Sequence, residues 1–145
     1  MGNGNLTPGF DPTITAYTVI LGNDVTEVTV AGIPDDQKAN IITSPPILDQ
    51  FTPGVAQTSE ITVTAPDGTS KSYILTVFIP LELQLEEKYA DGHPSSIANH
   101  EFATLVQEGS GGQIRIEVLS GSTKDEATLL DDLENGEQAC MTTWQ

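Results

Sequence analysis

The sequence predicts a two-part chain, an all-β antiparallel sandwich over residues 1–79 followed by an incomplete α/β segment of order β-α-β-α-(β) over residues 80–145. Three observations carry this prediction. Residues 10–79 hold repeated runs in which Thr, Val, Ile and Tyr alternate with polar residues, the period of a pleated strand with one buried face. Clusters of Gly, Pro, Asn and Asp separate these runs at short intervals. From Pro80 onward, strand-like runs alternate with helix-like ones.

Strands are expected in Thr13–Ile20, Val25–Val30, Glu60–Thr64 and Ser72–Val77. Turns fall at 22–24, 32–36, 45–46, 52–54 and 66–68. The last two strands form a hairpin around Asp67-Gly68, because glycine accepts positive φ without a Cβ clash. Tyr17 and Tyr73 are the aromatic candidates for the core.

In the second part, Leu81–Leu85 is a strand, and a helix follows with Ala98, Phe102, Leu105 and Val106 on its inward face. Gly109 and Gly111-Gly112 end that helix. The next strand is Gln113–Leu119. A second helix opens at Thr123 with Glu126 three residues on, a capping box, turns Ala127, Leu130 and Leu133 inward, and ends at Asn135-Gly136. Gln138–Trp144 is expected to give a third strand. About 64 residues make a thin layer for a parallel sheet, which buries both faces, so this segment reads as the beginning of something larger.

Composition narrows function by exclusion. The formal charge is −16, from 21 acidic and five basic residues. Residues 1–80 carry eight acids and two bases, a net of −6, and residues 81–145 carry 13 and three, a net of −10. Such a field repels nucleic-acid phosphates and anionic membrane surfaces, so neither is an expected partner. No apolar run reaches the roughly 18 residues a membrane span needs, so membrane insertion is not expected. No export signal is read in residues 1–5; for an exported protein the signal is expected to lie outside this sequence. Cys140 is the single cysteine, which rules out an intrachain disulfide and suits a small buried apolar role.

Few residues invite chemistry. No nucleophile–base–orienter set is apparent, so no catalytic residue and no enzymatic activity are expected. Asp35-Asp36 and Asp67-Gly68 read as turn chemistry rather than calcium ligands, since the alternating ligand spacing of a calcium loop is missing. No metal and no cofactor are expected. Asp131-Asp132 and Glu86-Glu87 read as solvated faces. His93 lies in the loop after the first α/β strand, where doubly wound proteins place ligands; its bland alternative is a helix-entry residue.

Two resemblances refine this reading. Residues 6–78 resemble the bacterial cadherin-like β-sandwich domain, through Leu6-Thr7-Pro8-Gly9-Phe10-Asp11-Pro12, Tyr17-Thr18-Val19, Val25–Val30 and the closing Ala65–Val77. That family usually has a further strand before Leu6. The resemblance implies an immunoglobulin/cadherin-like fold and, through an uncovered sheet edge, contact with a protein partner or self-association. Residues 81–145 resemble the N-terminus of the dicarboxylate-type solute receptors of tripartite ATP-independent periplasmic (TRAP) transporters. The matching residues are His93-Pro94, Phe102-Ala103, Leu105-Val106, Ser110–Val118, Leu129-Leu130 and Leu133, Asn135-Gly136. The match departs at Ser122-Thr123-Lys124, where the family has Gln-Leu-Gly.

The second resemblance implies a bacterial, extracytoplasmic protein, periplasmic or at the cell surface. Its partners would be an organic-anion solute and a membrane permease. Lys88 and Tyr89 align with the family's first ligand-contacting loop, and with His93 they are the candidate ligand-binding residues of an intact receptor. The family's carboxylate-clamping arginine lies beyond this segment; Arg115, in mid-strand, does not match it. The expected function is therefore a solute-receptor fragment with an interaction module. The alternative is an extracellular structural or adhesive protein whose sandwich mediates protein or carbohydrate contacts.

Overall fold

The structure is a computed structural model that describes residues 5–135 and 140–142. The chain divides into two compact units, Met1–Pro80 and Leu81–Gln145. The first is β-rich and the second is a small α/β assembly.

The first unit holds β1 (Asn5–Thr7), β2 (Ala16–Ile20), β3 (Glu27–Thr29), β4 (Asn40–Ser44), β5 (Ile47–Asp49), β6 (Gln57–Thr64) and β7 (Ser70–Phe78). Five of these form a sheet of order β1-β2-β7-β6-β4, and β3 pairs with β5 in a separate ribbon. The sequence pattern does not reveal β4 and β5. The sheet is mixed rather than purely antiparallel: β2 runs parallel to β7, with Tyr17 opposite Leu75 and Val19 opposite Val77. Alternation marks which residues face inward but not the direction of the neighbouring strand, which long-range pairing sets. β1 covers the outer edge of β2, leaving β4 as the other edge of the sheet.

Period-two burial follows the sequence. In β2, Tyr17 and Val19 are buried between exposed or half-buried neighbours. The core joins Val19 and Val77 of the large sheet to Leu48 of the ribbon, with Leu21, Val30 and Ile79, while Val28, Phe51, Ile61 and Leu75 pack around them. Tyr17 is core, but Tyr73 is only half-buried; Phe10 lies within 6.0 Å of its ring and Lys71 stands over it. The β6–β7 hairpin turns at Asp67-Gly68: Gly68 has φ +88, and Asp67 Oδ1 accepts from the Thr69 amide at 2.9 Å and its hydroxyl at 2.6 Å. Asp36 Oδ1 likewise accepts from the Lys38 amide at 2.9 Å, so both acids serve their turns.

The second unit comprises β8 (Leu81–Glu87), α1 (Pro94–Gly109), β9 (Ile114–Leu119), α2 (Glu126–Glu134) and β10 (Cys140–Thr142). The strands form a parallel sheet of order β10-β8-β9. The first strand is thus central, and the chain turns back across it between β9 and β10. Of the expected third strand Gln138–Trp144, residues 138–139 and 143–144 lie outside the described residues, as do the surroundings of the Cys140 side chain.

The helices present different faces from those the apolar residues suggest. In α1, Ser96 and Ala103 are buried, whereas Ala98, Phe102 and Leu105 are exposed and Val106 is half-buried. In α2, Leu129 is buried at 2% exposure, whereas Ala127, Leu130 and Leu133 face outward. Small side chains at Ser96 and Ala103 let the α1 backbone approach the sheet, which the bulky stripe would not. The start of α2 also differs: Asp125, not Thr123, is the N-cap, and its carboxylate accepts from the Thr128 amide at 2.8 Å. That bond holds the Asp125 carboxyl below its usual value.

Candidate functional site

Polar side chains of the second unit gather at the carboxyl ends of β8 and β9. Open α/β sheets bind ligands outside this end, because loops and helix N-termini converge there. β8 begins with regular alternation at Leu81–Gln84 and then buries Leu85, Glu86 and Glu87 in succession. Glu86-Glu87 is therefore not a solvated face: Glu86 is 7% exposed and Glu87 is 0% exposed. A central strand lies between two neighbours and under helices, so its end can be enclosed on both sides.

Each buried carboxylate has its own set of partners. Glu86 accepts from the Ser122 hydroxyl through Oε1 and from Lys124 Nζ at 3.0 Å through Oε2. Lys124 also pairs with Asp132 at 2.7 Å; these two carboxylates, Asp132 foremost, hold the ammonium above its usual value. Asp132 is thus an ion-pair partner rather than part of a purely solvated face. Glu87 Oε2 accepts from Ser95 Oγ at 3.0 Å and Asn99 Nδ2 at 2.6 Å, both on α1. Glu87 Oε1 is buried and has no hydrogen-bond partner among the described residues. A buried acceptor left open loses its hydration without replacement, so it marks a position where a donor would be accommodated favourably.

The loop from β8 to α1 surrounds these acids. Gly92 turns it with φ +92. His93 is the N-cap of α1; its Nδ1 accepts from the Ser95 amide at 3.2 Å, and Pro94 opens the helix. Tyr89 stacks on His93, with ring centroids 4.0 Å apart and planes 7° from parallel. Tyr89 is half-buried, and its carbonyl accepts from the Gly121 amide at 2.8 Å, tying the loop to the segment after β9. Lys88 is exposed. Ser96 Oγ lies 3.0 Å from Ser120 Oγ and donates to Asp91 Oδ1 at 3.3 Å. The Ser120 hydroxyl, then His100 at 3.5 Å, hold the Asp91 carboxyl below its usual value.

The three residues singled out from sequence thus lie on one loop, with Tyr89 and His93 in direct contact and Lys88 beside them. His93 has the helix-entry role, and its ring is simultaneously a platform for Tyr89. Arg115 lies at the amino end of β9, opposite Glu82, away from this cluster. Sequence reasoning missed Glu86, Glu87, Ser95, Asn99, Ser120 and Lys124. The available signal was the break in alternation at Leu85-Glu86-Glu87, followed by serine pairs at the start of α1 and just after β9. Among the described residues, no group of three or more His, Cys, Asp or Glu could hold a metal ion. No helix among them is long and apolar enough to cross a membrane.

No family model matches the chain, and no curated protein matches it. Among solved structures, a sialyltransferase from Photobacterium damsela is similar over 88% of this chain and 35% of that one, at 14% sequence identity and a TM-score of 0.31. A likeness at that level carries no argument about fold or activity.

Proposed function

We propose that residues 81–145 are the opening portion of a binding lobe of a TRAP-type solute receptor, and that the β-rich unit is a cadherin-like sandwich serving it as an interaction module. In this reading the protein works outside the bacterial cytoplasm and passes an organic anion to a membrane permease. The observation that carries the proposal is the buried, open acceptor Glu87 Oε1 at the carboxyl end of a parallel sheet, beside the Tyr89–His93 stack. Glu87 would take a hydrogen-bond donor of the solute, Tyr89 would offer a ring face, and Lys88 would supply a positive charge near the entrance. A second lobe would provide the arginine that grips the carboxylate, in the bidentate geometry guanidinium favours. The sandwich assignment is supported by a core built from both the large sheet and the β3–β5 ribbon.

The structural or adhesive alternative rests on one feature, the uncovered strand β4, whose Ile42 is 58% exposed. Calorimetry against a panel of small organic acids separates the readings. The present chain is expected to show no saturable micromolar binding, because its −16 charge opposes anions and no arginine clamp is present at the site. A product of the same gene carrying the second lobe is expected to bind. Micromolar binding by the present chain would mean the site is misplaced, and a two-lobed product inert to the whole panel would overturn the receptor reading.

A further inference from the structure

A second feature lies wholly within the β-rich unit. In the β3–β5 ribbon, Glu27 stands directly opposite Asp49. Like charges at facing positions of an antiparallel pair repel. Neither carboxylate belongs to an ion pair among the described residues. Of the unit's two lysines, Lys71 is engaged elsewhere, donating to the Pro12 carbonyl and standing over the Tyr73 ring. Both acids line a cleft of about 490 Å³ whose apolar wall includes Val25 and Phe51 and whose lining also carries the amides of Asn23 and Gln50. Its volume falls within the range of roughly 300–1,000 Å³ typical of ligand-holding clefts. Gln50 adopts φ +53, in the left-handed region that favours glycine. Two locally unfavourable arrangements, facing acids and a left-handed glutamine, therefore meet at one apolar-walled cleft, the conjunction that strain at binding sites produces.

We propose that this cleft receives lysine or arginine side chains of a basic partner protein. The aliphatic stem lies along Phe51 and Val25, and the cationic end sits between Glu27 and Asp49, converting their repulsion into attraction. The amide oxygens of Asn23 and Gln50 are further acceptors on the same lining. A lone small amine is a poor occupant, because one exposed ion pair contributes little. A polypeptide with several cations gains in addition from the net −6 of residues 1–80, which steers basic partners over a distance. A second copy of this chain carries the same −16 and is repelled.

The test uses the full chain and a fluorescently labelled octalysine peptide, followed by anisotropy at physiological ionic strength, with lysine amide as the small-amine arm. Saturable peptide binding is expected, with no saturation by lysine amide. The double variant Glu27→Gln/Asp49→Asn should bind the peptide about fivefold more weakly, whereas Asp35→Asn/Glu60→Gln, an equal charge change elsewhere on the unit, should lose less than about twofold. On the unmodified chain, saturating peptide should shift the backbone amides of Val25, Glu27 and Phe51 more than those of Thr64 and Ser70 at the hairpin. That measurement decides the matter even where a variant fails to fold. Equal weakening by the two double variants, uniform amide shifts, equal competition by lysine amide, or no saturable peptide binding would each overturn the proposal.

Discussion

Replacing Leu129 with alanine tests which face of α2 is inward. Among the described side chains of this nine-residue helix Leu129 is the buried one, at 2% exposure, while Leu130 is 49% and Leu133 36% exposed. Truncating a buried leucine removes its transfer free energy and leaves a cavity, together about 2–5 kcal/mol. The same truncation at Leu130 should fall within about 0.5 kcal/mol of neutral, since surface changes seldom do more. Short helices depend on tertiary packing for their stability, so the loss should appear first as local opening. At about 2 kcal/mol, amide exchange in α2 should accelerate roughly thirtyfold, at 1.4 kcal/mol per tenfold. Amides of β6 and β7 belong to the other compact unit and should keep their protection. Hydrogen exchange read by mass spectrometry, with wild type, Leu129→Ala and Leu130→Ala side by side, provides the assay. Leu130→Ala exchanging as fast as Leu129→Ala would refute the assigned face and restore the one suggested by the apolar spacing.

Two further outcomes are expected. Lys124 has a raised value, so its pairing with Asp132 and Glu86 is fully present below the unfolded value of 10.5 and is lost as pH rises through the folded one; Asp91 has a lowered value, so its contribution is present above 3.8 and is lost as pH falls through the folded one. In the amide protection of the second unit the contributions of these two groups should thus be constant between those limits, and Lys124→Met should remove the one that Lys124 supplies on the alkaline side. Gln50→Gly should stabilise the first unit by roughly 0.5–1 kcal/mol in urea denaturation, because relief of about 1–2 kcal/mol of left-handed strain exceeds the 0.5–1 kcal/mol entropic cost of glycine; a net loss would show that the glutamine side chain holds the turn.

Much of the first unit was legible because strand burial has a fixed period. Val19, Val28, Ile61 and Val77 all fall in runs that alternate, and a glycine at positive φ stands where Asp67-Gly68 announces a hairpin. The order β-α-β-α-β was legible for a related reason, since a change from period two to period 3.6 is visible without knowing what lies opposite. Beyond the β6–β7 hairpin, the pairing partners were not. β2 lies parallel to β7 across the 49 residues of intervening sequence, and no local pattern encodes the direction of so distant a neighbour. The helix faces were not legible, because apolar size alone does not decide which residues are enclosed: the buried positions are Ser96, Ala103 and Leu129, which permit close approach or fill the space available. That Lys88, Tyr89 and His93 share one loop after a strand was legible. Glu86 and Glu87 leave only a break in alternation in the sequence, and a pair of glutamates reads as solvated until partners from α1 and from the segment after β9 are brought over them. Sequence by itself determined the period of the elements other than β4 and β5 and the turns between them; tertiary structure alone decided which charges are enclosed, since burial depends on what the rest of the chain places around a residue.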